Sequence, residues 1–154
     1  MHSSVTVLMA LYNGGHYLKQ SVRSVLNQTH HDFEFLIVND CSTDESVKII
    51  ESFHDTRIHI HHNAANLGQT KSLNVGLKLA SGEYIARMDA DDVALPQWLE
   101  MQVRYIEKNP EHSAVSSYAV AIDEQNKIKK LYQPPPLPKR QLFCAHLLLH
   151  QSIT

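Results

Sequence analysis

The chain has 154 residues, 43% of them hydrophobic and 19% charged, with a formal net charge of -2. That length suits one domain with a real core, and the composition excludes a disordered chain. The near-neutral balance supplies no field to draw in nucleic acid or an anionic membrane.

Val5 to Leu11 is apolar apart from Thr6 and stops at Asn13-Gly14-Gly15, which predicts a buried strand and a turn. Leu18, Val22, Val25 and Leu26 recur at helical spacing over 16–28. Phe33 to Val38 is a second buried strand, ending at Asn39-Asp40-Cys41-Ser42. Ser42-Thr43-Asp44-Glu45 has the form of a capping box, so a helix is expected to start there, with Val47, Ile50 and Phe53 facing inward. Arg57 to His62 alternates Ile58 and Ile60 with polar residues, a half-exposed strand. Leu73, Leu77 and Ala80 mark the core face of the next helix, with Gly82 as its stop. Tyr84 to Met88 is a strand that runs into Asp89-Ala90-Asp91-Asp92. Pro96 opens a helix whose stripe is Leu99, Val103 and Ile106, ended by Asn109-Pro110. Val115 to Ile122 is one more strand, followed by a turn at Gln125-Asn126-Lys127. Gln133 to Pro138 is a stiff extended connector, and Leu142 to Leu149 a closing amphipathic segment.

Repeated strand–helix units predict an α/β fold, a mainly parallel sheet with helices on both faces. Ligands on such sheets bind at the carboxyl ends of the strands. Three of those ends carry ligand-capable groups: Tyr12-Asn13, Asp40, and the cluster Asp89, Asp91 and Asp92. Three carboxylates in four residues repel one another. A hard divalent cation, Mg²⁺ or Mn²⁺, relieves that repulsion and can bridge a diphosphate. A solvated acidic turn before the Pro96 helix is the alternative. Residues 1–132 are read as one α/β unit and 133–154 as a Pro-rich connector and the start of a further segment.

The segments Val5-Thr6-Val7-Leu8-Met9-Ala10-Leu11-Tyr12-Asn13-Gly14, Leu26-Asn27-Gln28-Thr29 with Phe33 to Asp44, Asn66-Leu67-Gly68, and Gly82 to Asp92 occur in order. Together they resemble family 2 glycosyltransferases over residues 4–125. The resemblance implies a GT-A (Rossmann-like) fold and a nucleotide-diphospho-sugar site. Tyr12 would lie near the base or its sugar, and Asp40 would bond the base, typically uracil. Asp89 would approach the ribose or the metal's water shell, and Asp91 would ligate Mn²⁺ or Mg²⁺. Arg87 would reach a phosphate, while Asn66, Gly68 and Lys71 would line the pocket. Ala10, Asn13 and Ala90 complete the nucleotide set. Ala10 stands where the family usually has proline, which bears on the geometry of the first loop.

The resemblance also implies inverting transfer to an acceptor hydroxyl, in the synthesis of surface polysaccharide or other glycans, with a glycan or lipid-linked acceptor. Family members run on past this length, and their general base lies in the later part. A donor-binding piece without turnover is therefore a second reading. Asp123 and Glu124 are read as a solvated turn, not as that base. Sugar-nucleotide synthesis is a third reading, but Asn13-Gly14-Gly15-His16 is a poor phosphate loop for it. A dinucleotide oxidoreductase would need G-x-G-x-x-G after the first strand, which is absent.

Cys41 and Cys144 form no metal-spaced pair, and Met1-His2-Ser3-Ser4 has no basic leader character. No apolar run approaches the ~20 residues of a membrane span. A cytoplasmic chain is expected, at the inner face of a membrane where its acceptor is lipid-linked. Cys41 is read as a small buried thiol. His59, His61 and His62 are read as an exposed edge strand, His30-His31 as a solvated loop, and the pair His146 and His150 as lacking the Glu of a metalloprotease helix.

Overall fold

A computed structural model describes residues 4–123 and 127–132. Its core is a four-stranded parallel sheet built from β1 (Val5–Leu11), β2 (Phe33–Asn39), β3 (Ile58–His62) and β4 (Tyr84–Arg87), in the order β3-β2-β1-β4. Between them run α1 (Gly15–Leu26), α2 (Ser46–Glu51) and α3 (Gln69–Leu79), and α4 (Trp98–Lys108) follows β4. The central strands β1 and β2 pair from Val5 opposite Phe33 to Leu11 opposite Asn39. Both are buried along almost their whole length, as near-continuous apolar runs in a parallel sheet must be.

The period of two along each strand splits the core between the sheet's faces. Val5, Val7, Met9 and Leu11 join Phe33, Phe35 and Ile37 in the larger cluster, with Leu18, Val22 and Val25 of α1, Ile50 of α2, and Trp98 and Leu99 of α4. Leu8, Leu36 and Val38 face the other way and meet Leu73, Val75 and Ala80. Helices thus cover both faces, as the strand–helix alternation predicts.

Leu73 and Ala80 meet the sheet as expected, but the rest of the α3 face differs. Ser72 and Gly76 are its buried residues, while Leu77 is 45% exposed. A Cβ on Gly76 would collide with Leu8 Cδ1 and stand 3.1 Å from Val38 Cγ2. The helix lies so close to the sheet that only small residues fit in the seam. Gly82 is not the helix stop either, because α3 ends at Leu79 with Ala80 as its cap. Gly82 lies against β1, where a Cβ would stand 2.6 Å from the Val5 carbonyl carbon.

Two other boundaries move. The second helix starts at Ser46, not Ser42, because the Ser42 hydroxyl instead accepts the Asn13 N–H at 3.1 Å. The last helix begins at Trp98, two residues after Pro96. The strand expected over 115–122 is the shorter β5 (Ala119–Ile122), and it does not join the parallel sheet. It pairs antiparallel with β6 (Ile128–Tyr132), a strand that Lys129 and Lys130 disguise in the sequence. Asp123, just past β5, accepts the Lys127 N–H at 2.9 Å. Glu124 to Asn126, the proline connector, the closing amphipathic segment and Cys144, His146 and His150 lie outside the described residues.

β3 is an edge strand, as expected, and His62 Nδ1 meets Asn39 Nδ2 at 3.1 Å. His30 is half-buried rather than solvated, because its ring meets the Ser4 hydroxyl at 2.9 Å. Cys41 is exposed, contrary to expectation. Its φ of 65° turns the chain as it leaves β2, and the thiol stays outside the core.

Candidate functional site

The carboxyl ends of β2 and β4 are both tied to β1. Asp40, just past β2, donates its N–H to Leu11 O at 2.8 Å. Met88, just past β4, donates to Leu8 O at 3.0 Å. The residues that follow therefore converge on one cleft of about 470 Å³. Ala10, Leu11, Tyr12, Asn13 and Gly14 form its β1 side, with His16 and Tyr17 from the first turn of α1. Asp40, Gln69, Asp89, Ala90 and Asp91 complete it.

Asp40 is 2% exposed. Its Oδ1 accepts from Asn63 Nδ2 and from the Leu67 N–H, each at 2.8 Å, and its Oδ2 accepts the Gly68 N–H at 2.8 Å. Burial pushes this carboxyl up, but the bonds from Leu67, Asn63, Ser72 and Gly68 outweigh it and hold Asp40 below the ordinary carboxylate range. The carboxylate thus folds the 63–68 loop onto itself. Gly68 takes φ 84° there, a conformation glycine adopts without penalty, and α3 begins at the next residue.

Asp89 is 8% exposed and is met by Arg87, whose Nη2 lies 3.0 Å from Oδ1 and 3.1 Å from Oδ2. Gln69 Nε2 reaches the same Oδ1 at 3.4 Å from the opposite wall. Asp91 is half-buried on the cleft. Asp92 is fully buried and lines none of it. Among the described residues no three His, Cys, Asp or Glu side chains converge as a metal cluster. An all-protein cage is not what a magnesium-like ion requires, since one or two carboxylates plus substrate phosphates suffice. Asp91, with Asp89 beside it, fits that requirement.

The first loop is clamped rather than loose. Asn13, at φ 52°, accepts the Thr43 N–H at 2.9 Å, and Gly15 donates to Asp44 Oδ2 at 3.1 Å. A Cβ on Gly14 would stand 2.8 Å from Leu11 Cδ1 and 3.2 Å from Ala90 Cβ. The first loop and the acidic loop are thus in direct contact. Tyr12 is 53% exposed, its ring open to a ligand.

Of the residues expected at the site, Ala10, Tyr12, Asn13, Asp40, Asp89, Ala90 and Asp91 come together. Asn66, Gly68, Lys71 and Arg87 do not line the cleft. Gly68 is turned onto Asp40 and Arg87 onto Asp89, while Asn66 and Lys71 are exposed. His16, Tyr17 and Gln69 were not foreseen. Each sits in the first turn of a helix, where hydrophobic spacing says nothing about what a polar residue faces.

Comparison with known proteins places this geometry. A model described as Glycosyl transferase family 2 matches residues 6–152. An uncharacterized glycosyltransferase of Haemophilus influenzae is 44% identical over 123 residues, 79% of this chain and 38% of that protein. The Escherichia coli UDP-Glc:alpha-D-GlcNAc-diphosphoundecaprenol beta-1,3-glucosyltransferase WfgD is 32% identical over 155 residues, 97% of this chain and 61% of that protein. Residues 1-349 of S. aureus TarS in complex with UDP superpose with a TM-score of 0.66 at 26% identity, covering 78% of this chain and 35% of that one. The same fragment also exists in complex with UDP-GlcNAc. The chain spans 38% and 61% of the two curated relatives. Its sheet and helices have the GT-A arrangement.

Proposed function

The chain belongs to glycosyl transferase family 2, and from that premise we propose that it is the donor-binding part of an enzyme that passes a sugar from a nucleoside diphosphate to an acceptor hydroxyl. The observation that carries this reading is the convergence of Tyr12, Asp40, Asp89 and Asp91 on one cleft at the carboxyl edge of the sheet. The exposed Tyr12 ring offers a stacking face for the base. Asp40, an acceptor-only group while ionised, suits the imide N–H of uracil. Asp89, already oriented by Arg87, takes the ribose hydroxyls. A divalent ion, Mn²⁺ or Mg²⁺, held by Asp91 with Asp89 would supply positive charge against the departing diphosphate.

The reaction that follows is an inverting displacement. The acceptor hydroxyl gives up its proton, attacks the anomeric carbon, and the nucleoside diphosphate leaves from the opposite side. Residues 1–132 would hold the donor, and the group that takes the acceptor's proton would come from another part of a longer chain. Donor binding is therefore expected of these 154 residues, with transfer only from a longer form. The name of the E. coli relative supports a lipid-linked acceptor; synthesis of surface polysaccharide or another glycan at the cytoplasmic side of a membrane is the setting proposed for it. Peripheral association with that membrane is part of the proposal; no helix among the described residues is long and apolar enough to cross it.

Calorimetric titration of UDP with and without Mn²⁺, on the wild-type chain and on Asp91→Asn, tests the reading. Metal-dependent binding that the substitution abolishes supports it. A folded chain that binds UDP equally well with and without metal, or not at all, sinks it.

A further inference from the structure

Ser21, Ser24 and Gln28 share one side of α1 and the turn that follows it, at spacings of three and four. Each bonds the segment after β4. Ser21 Oγ donates to Asp89 O at 3.2 Å. Ser24 Oγ donates to Ser21 O at 2.7 Å and accepts the Ala94 N–H at 3.0 Å. Gln28 Nε2 donates to Leu95 O at 2.8 Å and to Ser24 O at 3.0 Å, and its Oε1 accepts the Leu99 N–H at 3.0 Å. Beside them, the Thr29 N–H donates to Pro96 O at 2.9 Å.

Ser21 and Gln28 are fully buried. A buried amide left without partners is costly, so its position is set by the groups that satisfy it. Here those groups are the backbone of the 89–99 segment, which has no regular ladder until α4 starts at Trp98. That segment carries Asp89 and Asp91. None of Ser21, Ser24 and Gln28 lines the cleft. Their bonds run to the main chain beneath the acidic loop, not to a ligand's side of it.

We infer that Ser21, Ser24 and Gln28 are positioning residues that hold the Asp89-Ala90-Asp91 loop in the register required to take a metal-bound nucleoside diphosphate. The inference rests on the donor-site reading above and deepens it, because it names what fixes a site whose own residues lie on a loop. Groups that orient a metal ligand from behind typically change affinity 10–100-fold when removed.

The test compares Ser24→Ala, Gln28→Ala, Ser24→Thr and Leu73→Ala with the wild-type chain. Three quantities are read: UDP affinity with Mn²⁺, thermal midpoint, and hydrogen exchange at the amides of Ala94 and Leu99. Ser24→Ala and Gln28→Ala should weaken UDP binding about tenfold and speed exchange at both amides, while β1 and β2 stay protected. Ser24→Thr keeps the hydroxyl and should restore both. Leu73→Ala, on the other face of the sheet, should lower the midpoint without weakening UDP. Wild-type affinity in both alanine variants, or an equal loss in Leu73→Ala, overturns the inference. Ser24→Ala removes one hydroxyl from a half-buried site and keeps the test open if Gln28→Ala does not fold. A wild-type chain that binds no UDP ends the donor reading instead. Exchange then decides the bracket by itself: unchanged protection at Ala94 and Leu99 overturns it.

Discussion

Arg87 and Asp89 face each other across the end of β4, with one guanidinium nitrogen within 3.1 Å of both carboxylate oxygens. Their side chains are 15% and 11% exposed. A pair so little hydrated is not a surface salt bridge, and removing one partner strands the other. The pair also divides labour between the acids of the cluster. Asp89 is compensated by the protein itself, and Asp91 has no cation paired to it among the ion pairs of the described residues.

Arg87→Ala should therefore lower stability by about 3 kcal/mol, read as a shift in the urea midpoint with the slope unchanged. Arg87→Lys should recover part of it, since a lysine supplies charge but not the planar fork. An alanine variant as stable as wild type would show that solvent already screens the pair.

Asp91→Asn should behave in the opposite way. The residue is half-buried on the cleft, so its loss should change stability by less than about 0.5 kcal/mol. Mn²⁺-dependent UDP binding should fall at least about tenfold. Calorimetry and thermal melting on one preparation check both halves.

Asp40 gives a pH signature. Its folded carboxyl lies below the ordinary value of 3.8, so its contribution to stability is complete above about pH 4 and is lost as pH falls through the folded value. Asp55, held down first by its hydrogen bond from Arg57, acts in the same direction. Asp40→Asn should cost about 1–3 kcal/mol near neutrality, because an amide cannot accept at both positions from Leu67 and Gly68. Its stability should also fall less steeply than wild type below pH 4. Denaturation at a series of pH values measures both effects, and parallel acid limbs would show that Asp40 is not the group responsible.

Gly76→Ala tests the seam under α3. Alanine has the better helix propensity by about 1 kcal/mol, yet its methyl would collide with Leu8. A net loss of about 1–3 kcal/mol is expected, with UDP binding unchanged because Gly76 is not in the cleft. A stabilised variant would mean that the helix moves off the sheet at little cost.

Much of this was legible in the sequence, and the residues say why. β1, β2 and β4 are apolar runs that end in polar residues, so both the sheet and its ligand edge could be read directly. The convergence of Tyr12, Asp40 and Asp91 on one cleft followed because they sit where those runs stop. Hydrophobic spacing found Leu73 and Ala80 beside the sheet but misplaced Leu77, since it scores large side chains and the tight seam there selects Ser72 and Gly76. The Ser42 capping box misled for a related reason: the Ser42 hydroxyl serves the Asn13 N–H in another loop, a partner that local pattern cannot reveal. β6 went unseen because a strand made by pairing, with lysines on both faces, carries no apolar alternation. Gln69 was missed because its meeting with Asp89 depends on how α3 lies across the sheet.

The contact of Gly14 with Ala90 bears on how this sequence can drift. The two positions share one small volume, and glycine has no side chain left to give up. A side chain at position 14 would press on Leu11 Cδ1 and Ala90 Cβ, so the first loop would have to move to accept one. A side chain at position 14 should therefore be accepted best beside a smaller residue at 11 and glycine at 90, so that a library randomised at all three would return correlated sets.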